Sequence, residues 1–163
     1  MKLAKILVPL DGSALAETAI PKAIELAQDA PAASLLLLRA AEAPAFSGDP
    51  IEAQVAVVRD AEEYLDAVAE RVRAEGFEKF TTSVWYGPAA PAIVEAAQIT
   101  KADLIVMSTH GRSGLGRLLL GSVAESVLRG TRTPLLLLRP DGAPIERPAG
   151  SAKATRPKEP VHV

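Results

Sequence analysis

The sequence contains no cysteine and little else that supports covalent or metal chemistry. The absence of cysteine excludes disulfide bonds, thiolate metal sites and thiol catalysis, and it is typical of a protein from a reducing compartment. The chain has only two histidines, His110 and His162. Because no carboxylate or nucleophile accompanies His110 in the sequence, a packing or hydrogen-bonding role is favoured over acid–base catalysis. We therefore predict neither a catalytic residue nor a metal ligand.

The chain also lacks a strong charge imbalance and any long apolar run. Its formal net charge of −2 gives no overall attraction to nucleic acid or to an anionic membrane. No apolar segment approaches the roughly 20 residues that a membrane-spanning helix needs. The amino terminus is apolar only briefly before Pro9, which is too short for a signal peptide. These features predict a cytoplasmic protein that binds neither nucleic acid nor membrane.

What the chain does contain is a large apolar fraction arranged in short runs. Hydrophobic residues make up 48% of the sequence, which is enough for one packed domain. The runs alternate with segments of helical periodicity, a pattern typical of a parallel β-sheet with helices on both faces. We therefore predict an α/β fold. The predicted strands cover residues 3–9, 34–40, 80–86, 104–107 and 133–139.

The composition changes near residue 140. Residues 1–140 carry all the predicted strands and helices, so we predict one domain there. Residues 141–163 are rich in proline and poor in apolar side chains, which predicts a flexible tail.

Two of the predicted helices have local sequence signals. Pro21 lies inside the first helix and should kink or split it. Asp49, Pro50 and Glu52 have the cap, first-turn proline and glutamate of a helix start, and Gly76 is predicted to end that long helix. Its predicted buried face comprises Ile51, Val55, Val58, Leu65, Val68 and Val72.

The most unusual stretch covers residues 108–122, between a predicted buried strand and a predicted helix. Glycine lets a backbone approach a ligand closely, and a helix amino terminus offers unbonded N–H groups to phosphate. Ser122 and Glu125 have capping-box spacing, so we predict that the helix begins at Ser122. No Walker-type lysine motif is present, and Arg112 is the favoured cationic partner of a phosphate. We predict that this stretch holds the phosphates of a nucleotide.

A second candidate site residue is Asp11, at the end of the first predicted strand. It is either a turn residue or a carboxylate that meets a hydroxyl or a base edge of a ligand. Ligands of open parallel sheets bind at the carboxyl ends of the strands, where the strand order reverses. If the first and fourth strands are neighbours, Asp11 and residues 108–122 meet in one crevice, and this convergence favours the ligand interpretation.

The sequence resembles the universal stress protein family. Its ATP-binding members carry Gly-x-x-Gly, nine residues, and Gly-Ser or Gly-Thr. Here Gly111 is followed after nine residues by Gly121 and Ser122, whereas Ser108 stands at the position of the first glycine. The run Ile-Leu-Val-Pro-Leu-Asp-Gly-Ser over residues 6–13 is similar to the family's opening strand, with its adenosine-contacting aspartate at Asp11. The resemblance extends over residues 2–139.

The resemblance implies a Rossmann-like (adenine nucleotide alpha hydrolase-like) open parallel sheet with five strands in the order 3-2-1-4-5. It also implies ATP, with Mg²⁺, in the crevice, and a homodimer formed through the last strand at Leu135–Leu138, where an unpaired sheet edge invites pairing. Four residues would contact adenine and ribose: Pro9, Leu10, Asp11 and Ala40. Seven would surround ribose and phosphates: Met107, Ser108, Gly111, Arg112, Gly121, Ser122 and Val123.

Two functions stay open at this point. The first is an ATP-binding protein of stress response or signalling. The second is a related dimer that binds no nucleotide and acts through protein partners. Ser108, at the position of the first motif glycine, supports this alternative. An enzymatic role has little support beyond slow ATP hydrolysis, because the sequence offers no catalytic constellation.

Overall fold

A computed structural model describes residues 2–44, 49–109 and 120–139 of the chain. Its five strands are all parallel and form one sheet in the order 3-2-1-4-5. This confirms the predicted α/β fold and the strand order that the family resemblance implied. The strands are β1 (Lys5–Leu10), β2 (Ser34–Ala41), β3 (Phe80–Tyr86), β4 (Leu104–Ser108) and β5 (Leu135–Leu138).

Helices cover both faces of the sheet, so the strands are apolar on both sides. In β1, Ile6 and Val8 belong to one buried cluster, while Leu7 between them belongs to the cluster on the opposite face. This double burial is why the central strands are continuous apolar runs without alternation. None of the helices in the described part of the chain is both long and apolar enough to cross a membrane. The helices are α1 (Ala14–Glu17), α2 (Ala19–Asp29), α3 (Pro50–Ala74), α4 (Ala89–Ile99) and α5 (Ser122–Gly130).

The break between α1 and α2 lies at Thr18 and not at Pro21. Pro21 is the third residue of α2, in the first turn, where the backbone nitrogen has no carbonyl partner within the helix. Proline is therefore tolerated there. The predicted split occurs, but its position was wrong.

Helix α3 begins and ends as predicted. The Asp49 Oδ1 atom accepts hydrogen bonds from the backbone N–H groups of Ile51 at 2.8 Å and Glu52 at 3.2 Å. Beyond the other end, Gly76 adopts a φ of +86°, a conformation that costs glycine little. Both ends of α3 were predictable from the sequence because each depends on neighbouring residues only.

The predicted buried face of α3 was wrong for its first half. Ile51 and Val55 are 74% and 61% exposed, and the fully buried positions begin at Ala61. A helix of 25 residues is about 37 Å long, whereas the 8 residues of β2 span about 26 Å. The helix is longer than the strands that it covers, so its first turns project past the carboxyl edge of the sheet.

Helix α5 begins at Ser122, as predicted, but without the predicted capping box. Gly121 is the N-cap residue and Ser122 is the first residue of the helix. The carbonyl of Gly121 accepts the first helical hydrogen bond, from the N–H of Glu125 at 2.9 Å. The Glu125 side chain pairs instead with Arg129 one turn later, at 2.7 Å. The predicted reciprocal cap between Ser122 and Glu125 is therefore absent from the described structure.

Candidate functional site

A cavity of about 660 Å³ opens at the carboxyl ends of β1, β2 and β4. The strand order reverses here, since β1 pairs with β2 on one side and with β4 on the other. The connections that leave β1 and β4 diverge at such a reversal and leave a crevice between them. The condition for the predicted crevice, that the first and fourth strands are neighbours, is therefore met.

Nine of the eleven predicted site residues line the cavity. The other two, Gly111 and Arg112, lie outside the described residues, as does most of the glycine-rich stretch. The nine that the structure brings together are Pro9, Leu10, Asp11, Ala40, Met107, Ser108, Gly121, Ser122 and Val123.

Asp11 is both a turn residue and a cavity residue. Its Oδ1 atom accepts hydrogen bonds from the backbone N–H of Ser13 at 2.9 Å and from the Ser13 hydroxyl at 2.6 Å. The Ser13 Oγ atom in turn accepts a bond from the N–H of Ala16 at 3.1 Å, which caps α1. This compact turn fixes the Asp11 side chain while the residue lines the cavity wall, so the two interpretations of Asp11 are compatible.

The amino terminus of α5 also lines the cavity. The N–H of Gly121 donates to the carbonyl of Thr109 at 2.7 Å, which ties the helix start to the end of β4. Gly121 provides no side-chain cap. The N–H groups of Ser122, Val123 and Ala124 belong to the first turn, so no carbonyl within the helix can accept from them. These three residues line the cavity, where such donors and the helix dipole favour an anion.

Several polar residues that line the cavity were not predicted from the sequence. Arg39 interrupts the apolar run of β2, and that interruption was the one available signal for it. Asp60 is not part of the predicted buried face of α3, yet it lines the cavity because the first half of α3 passes the sheet edge. Glu42 follows β2 and adds a further carboxylate. Within the described lining, the charged residues are Asp11, Arg39, Glu42 and Asp60.

A polar network joins this wall of the cavity to α3. The Arg39 Cζ atom lies 5.2 Å from the centroid of the Tyr64 ring. The Tyr64 hydroxyl donates to Glu17 Oε1 at 2.8 Å, and Arg71 Nη2 donates to Glu17 Oε2 at 2.7 Å. Burial raises the pKa of the Tyr64 phenol above its ordinary range, and the hydrogen bond to Glu17 and its negative charge act in the same direction. Tyr64 is therefore neutral and a donor at physiological pH.

The chemistry of the described lining is that of a binding site. Across the described ranges, no group of three or more acidic, histidine or cysteine side chains could hold a metal ion. The apolar walls, the Asp11 carboxylate and the α5 amino terminus can contact a ligand that is apolar in one part and anionic in another.

Comparison with known proteins gives the family. The model of the universal stress protein family matches residues 2–139. The chain belongs to the universal stress protein family. A universal stress protein of Methanocaldococcus jannaschii is 35% identical over 139 residues, which cover 83% of this chain and 81% of that protein. One from Thermus aquaticus is 39% identical over 135 residues, covering 82% and 97% of the two chains.

Solved structures of the family share the fold. The universal stress protein UspA of Lactobacillus plantarum superposes with a TM-score of 0.73 at 25% identity, over 85% of this chain and 99% of that one. A second universal stress protein, solved in complex with cAMP, superposes with a TM-score of 0.66 at 25% identity, over 85% and 98% of the chains. The described sheet and its helices are thus the architecture of this family.

Proposed function

We propose that this universal stress protein binds ATP, accompanied by Mg²⁺, in the cavity between β1 and β4, and acts in stress response or signalling. One observation carries the proposal: the amino terminus of α5, where Gly121 supplies no side-chain cap, and the Asp11 turn line the same cavity. The α5 amino terminus can therefore contact an anionic group while Asp11 contacts a hydroxyl-bearing group of the same ligand. A nucleotide has both.

The phosphates would lie at the start of α5. The first-turn N–H groups of Ser122, Val123 and Ala124 supply donors, and Gly121, which has no Cβ, lets the phosphate approach the backbone. Arg112 and Gly111 complete this end in the sequence pattern. Mg²⁺ would be held mainly by phosphate oxygens and water, which are the oxygen ligands that this ion prefers.

Adenine and ribose would lie toward β1 and β2. Pro9, Leu10 and Ala40 give an apolar wall for the base, and the Asp11 carboxylate can accept a hydrogen bond from a ribose hydroxyl. The cavity volume of about 660 Å³ is in the range of small-molecule sites, about 300–1,000 Å³. The relative solved with cAMP supports an adenine nucleotide as the ligand class.

The alternative is a dimer that binds no nucleotide and acts through protein partners. Ser108 favours it, since this buried side chain, only 6% exposed, stands in the cavity wall where the family's motif has glycine. The edge strand Leu135–Leu138 is partly exposed and offers a surface for a second copy in either case. Homodimerisation through this strand and a cytoplasmic location are part of the same proposal.

A thermal-shift titration with ATP and Mg²⁺ separates the two functions. Binding to the native state raises the melting temperature. The added stability grows with the logarithm of the ligand concentration and is about 2.7 kcal/mol at 100 Kd. We expect a concentration-dependent shift with ATP and none with Mg²⁺ alone. No shift at millimolar ATP rejects the nucleotide function, and light scattering then tests whether a dimer is present.

A further inference from the structure

Arg39 is packed firmly beside the cavity. Its guanidinium lies over the Tyr64 ring, with 5.2 Å between Cζ and the ring centroid, and its Nε and Nη1 atoms are inaccessible to solvent. A planar guanidinium held on an aromatic face has a fixed orientation, unlike a flexible surface cation. The Arg39 side chain is therefore a fixed part of the cavity wall.

On its other side, the guanidinium meets the backbone of Gly12. A Cβ atom built on Gly12 would lie 3.0 Å from Nη1 and 3.3 Å from Nη2 of Arg39. Gly12 also has a φ of +86°, which side chains other than glycine rarely adopt. The guanidinium thus lies close to both Tyr64 and the residue that follows Asp11 in the chain.

The far side of the same turn is tied to Tyr64 as well. Helix α1 begins directly after the turn, and its Glu17 accepts the Tyr64 hydroxyl at 2.8 Å and Arg71 at 2.7 Å. The charge of Asp11 raises the pKa of the Tyr64 phenol and the charge of Arg39 lowers it, so both groups lie within electrostatic reach of the ring. Tyr64 therefore contacts Arg39, which lies close to Gly12 in the turn, and Glu17, in the helix that follows the turn.

We propose that Arg39 and Tyr64 are positioning residues that hold the turn at Asp11 so that its carboxylate meets a ribose hydroxyl of the bound nucleotide. The proposal rests on the proposed function and deepens it by assigning to Arg39 and Tyr64 the placement of the Asp11 carboxylate. Asp11 Oδ1 is bonded to the N–H and hydroxyl of Ser13, so its direction follows the conformation of the turn. A displaced turn moves the carboxylate away from the sugar.

Two variants test this network without touching Asp11. Tyr64→Phe keeps the ring under the guanidinium and removes only the hydroxyl that bonds Glu17. Arg39→Met keeps a long side chain and removes the planar cation. Tyr86→Phe is the matched control, because Tyr86 is 51% exposed on the edge strand β3 and does not line the cavity.

The decisive readout is discrimination between ATP and 2′,3′-dideoxy-ATP, measured by isothermal titration beside inorganic tripolyphosphate. We expect the wild type to prefer ATP by about tenfold, the effect of one hydrogen bond to a charged group. In Arg39→Met the preference falls close to one, and in Tyr64→Phe it falls by about threefold. The affinity for tripolyphosphate stays unchanged, which general destabilisation would not produce.

Four outcomes would count against the proposal. If folded Tyr64→Phe and Arg39→Met keep the wild-type preference for ATP, or lose affinity equally for ATP and tripolyphosphate, the positioning role is overturned. If the wild type binds ATP and the dideoxy analogue equally, the ribose assignment fails while the nucleotide function stands. If the wild type binds no ATP at millimolar concentration, the proposed function itself fails.

Discussion

The two ends of the sheet are built from the same strands and differ in how their polar groups are satisfied. At the amino end, the Asp103 carboxylate accepts hydrogen bonds from the N–H groups of Ala4 at 2.8 Å and Lys5 at 2.9 Å. The N–H of Asp103 itself donates to the carbonyl of Lys5 at 2.9 Å, so β1 and the start of β4 are closed onto each other. At the carboxyl end, the first-turn donors of α5 face a cavity.

This difference supports the carboxyl end of the sheet as the proposed ligand site. Backbone donors that are already paired at the amino end contribute stability and leave nothing for a partner. Donors at the carboxyl end are arranged by β4 and Gly121 but receive no helical carbonyl, so an anion can take that place. Stability and binding should therefore respond to different substitutions.

Gly121→Val tests the open end and has the largest expected effect. The side chain would stand between the backbone and a phosphate, so we expect ATP affinity to fall by about a hundredfold, or about 2.8 kcal/mol. Gly121 has φ −66° and ψ 150°, which valine adopts readily, so the fold should persist with a small loss at the cap. Equilibrium dialysis with ATP and Mg²⁺ measures the affinity.

Gly130→Ala, at the other end of the same helix, is the control for Gly121→Val. A Cβ on Gly130 meets Val94 Cγ2 at 3.4 Å, an ordinary van der Waals contact, so its ATP affinity should match the wild type. Wild-type affinity in Gly121→Val would contradict the placement of phosphate at α5.

Helix α3 has an exposed first half and a buried second half, and so offers a paired test of stability. Val68 is 1% exposed and Val55 is 61% exposed, although both lie on the predicted apolar face. We expect Val68→Ala to lower the free energy of unfolding by about 2 kcal/mol and Val55→Ala to change it by less than about 0.5 kcal/mol. Urea denaturation measures both, and equal losses would mean that the first half of α3 is packed after all.

Asp103→Asn tests the closed end. We expect it to lower the free energy of unfolding by about 1 kcal/mol, because two hydrogen bonds to a charged acceptor weaken. Those backbone bonds lower the pKa of Asp103 in the folded state. The stabilisation is therefore present above the unfolded pKa and is lost as the pH falls through the folded pKa. Thermal melts from pH 6 downward should show the wild type losing its advantage over Asp103→Asn in acid.

The control for Asp103→Asn is Asp66→Asn, on the exposed face of α3. It should match the wild type near neutral pH, and its ATP affinity and that of Asp103→Asn should both be unchanged. A difference between wild type and Asp103→Asn that stays constant down to the lowest pH would contradict the ionised acceptor.

Apart from the control substitutions, Asp49→Ala has the smallest expected effect, a fall of about 0.5–1 kcal/mol in the free energy of unfolding. It removes the acceptor of the N–H groups of Ile51 and Glu52, but those turns project into solvent, where water can replace it. The loss should appear as fraying of the first turns of α3, measured by amide hydrogen exchange at Ile51 relative to Val72. Faster exchange at Val72 as well would mean that the two halves of α3 unfold together.

Local patterns were enough to predict most of the fold. The apolar runs around Ile6 and Ile105 are buried on both faces, which sequence alone distinguishes from a half-exposed sheet. The start of α3 was predictable because Asp49 acts on its own next residues. The exposure of Val55 was not predictable, since periodicity marks an apolar stripe without the length of sheet available to cover it.

The candidate site was predicted where adjacent residues form it and missed where distant ones do. Asp11 and Gly121 follow from a strand end and a helix start, each visible in a few residues. Arg39 and Asp60 reach the cavity only because β2 and α3 are packed side by side, which no local pattern encodes. The capping box at Ser122 failed because Gly121 takes the cap position itself.

The most direct test of the open carboxyl end is an NMR titration of the ¹⁵N-labelled protein with ATP and Mg²⁺. We predict saturable shifts of the amide signals of Ser122, Val123 and Ala124 and of the turn at Gly12. The amides of Ala4 and Lys5, at the closed end, should stay in place. Saturable shifts confined to the amino end, or none at the cavity at millimolar ATP, would contradict the proposed site.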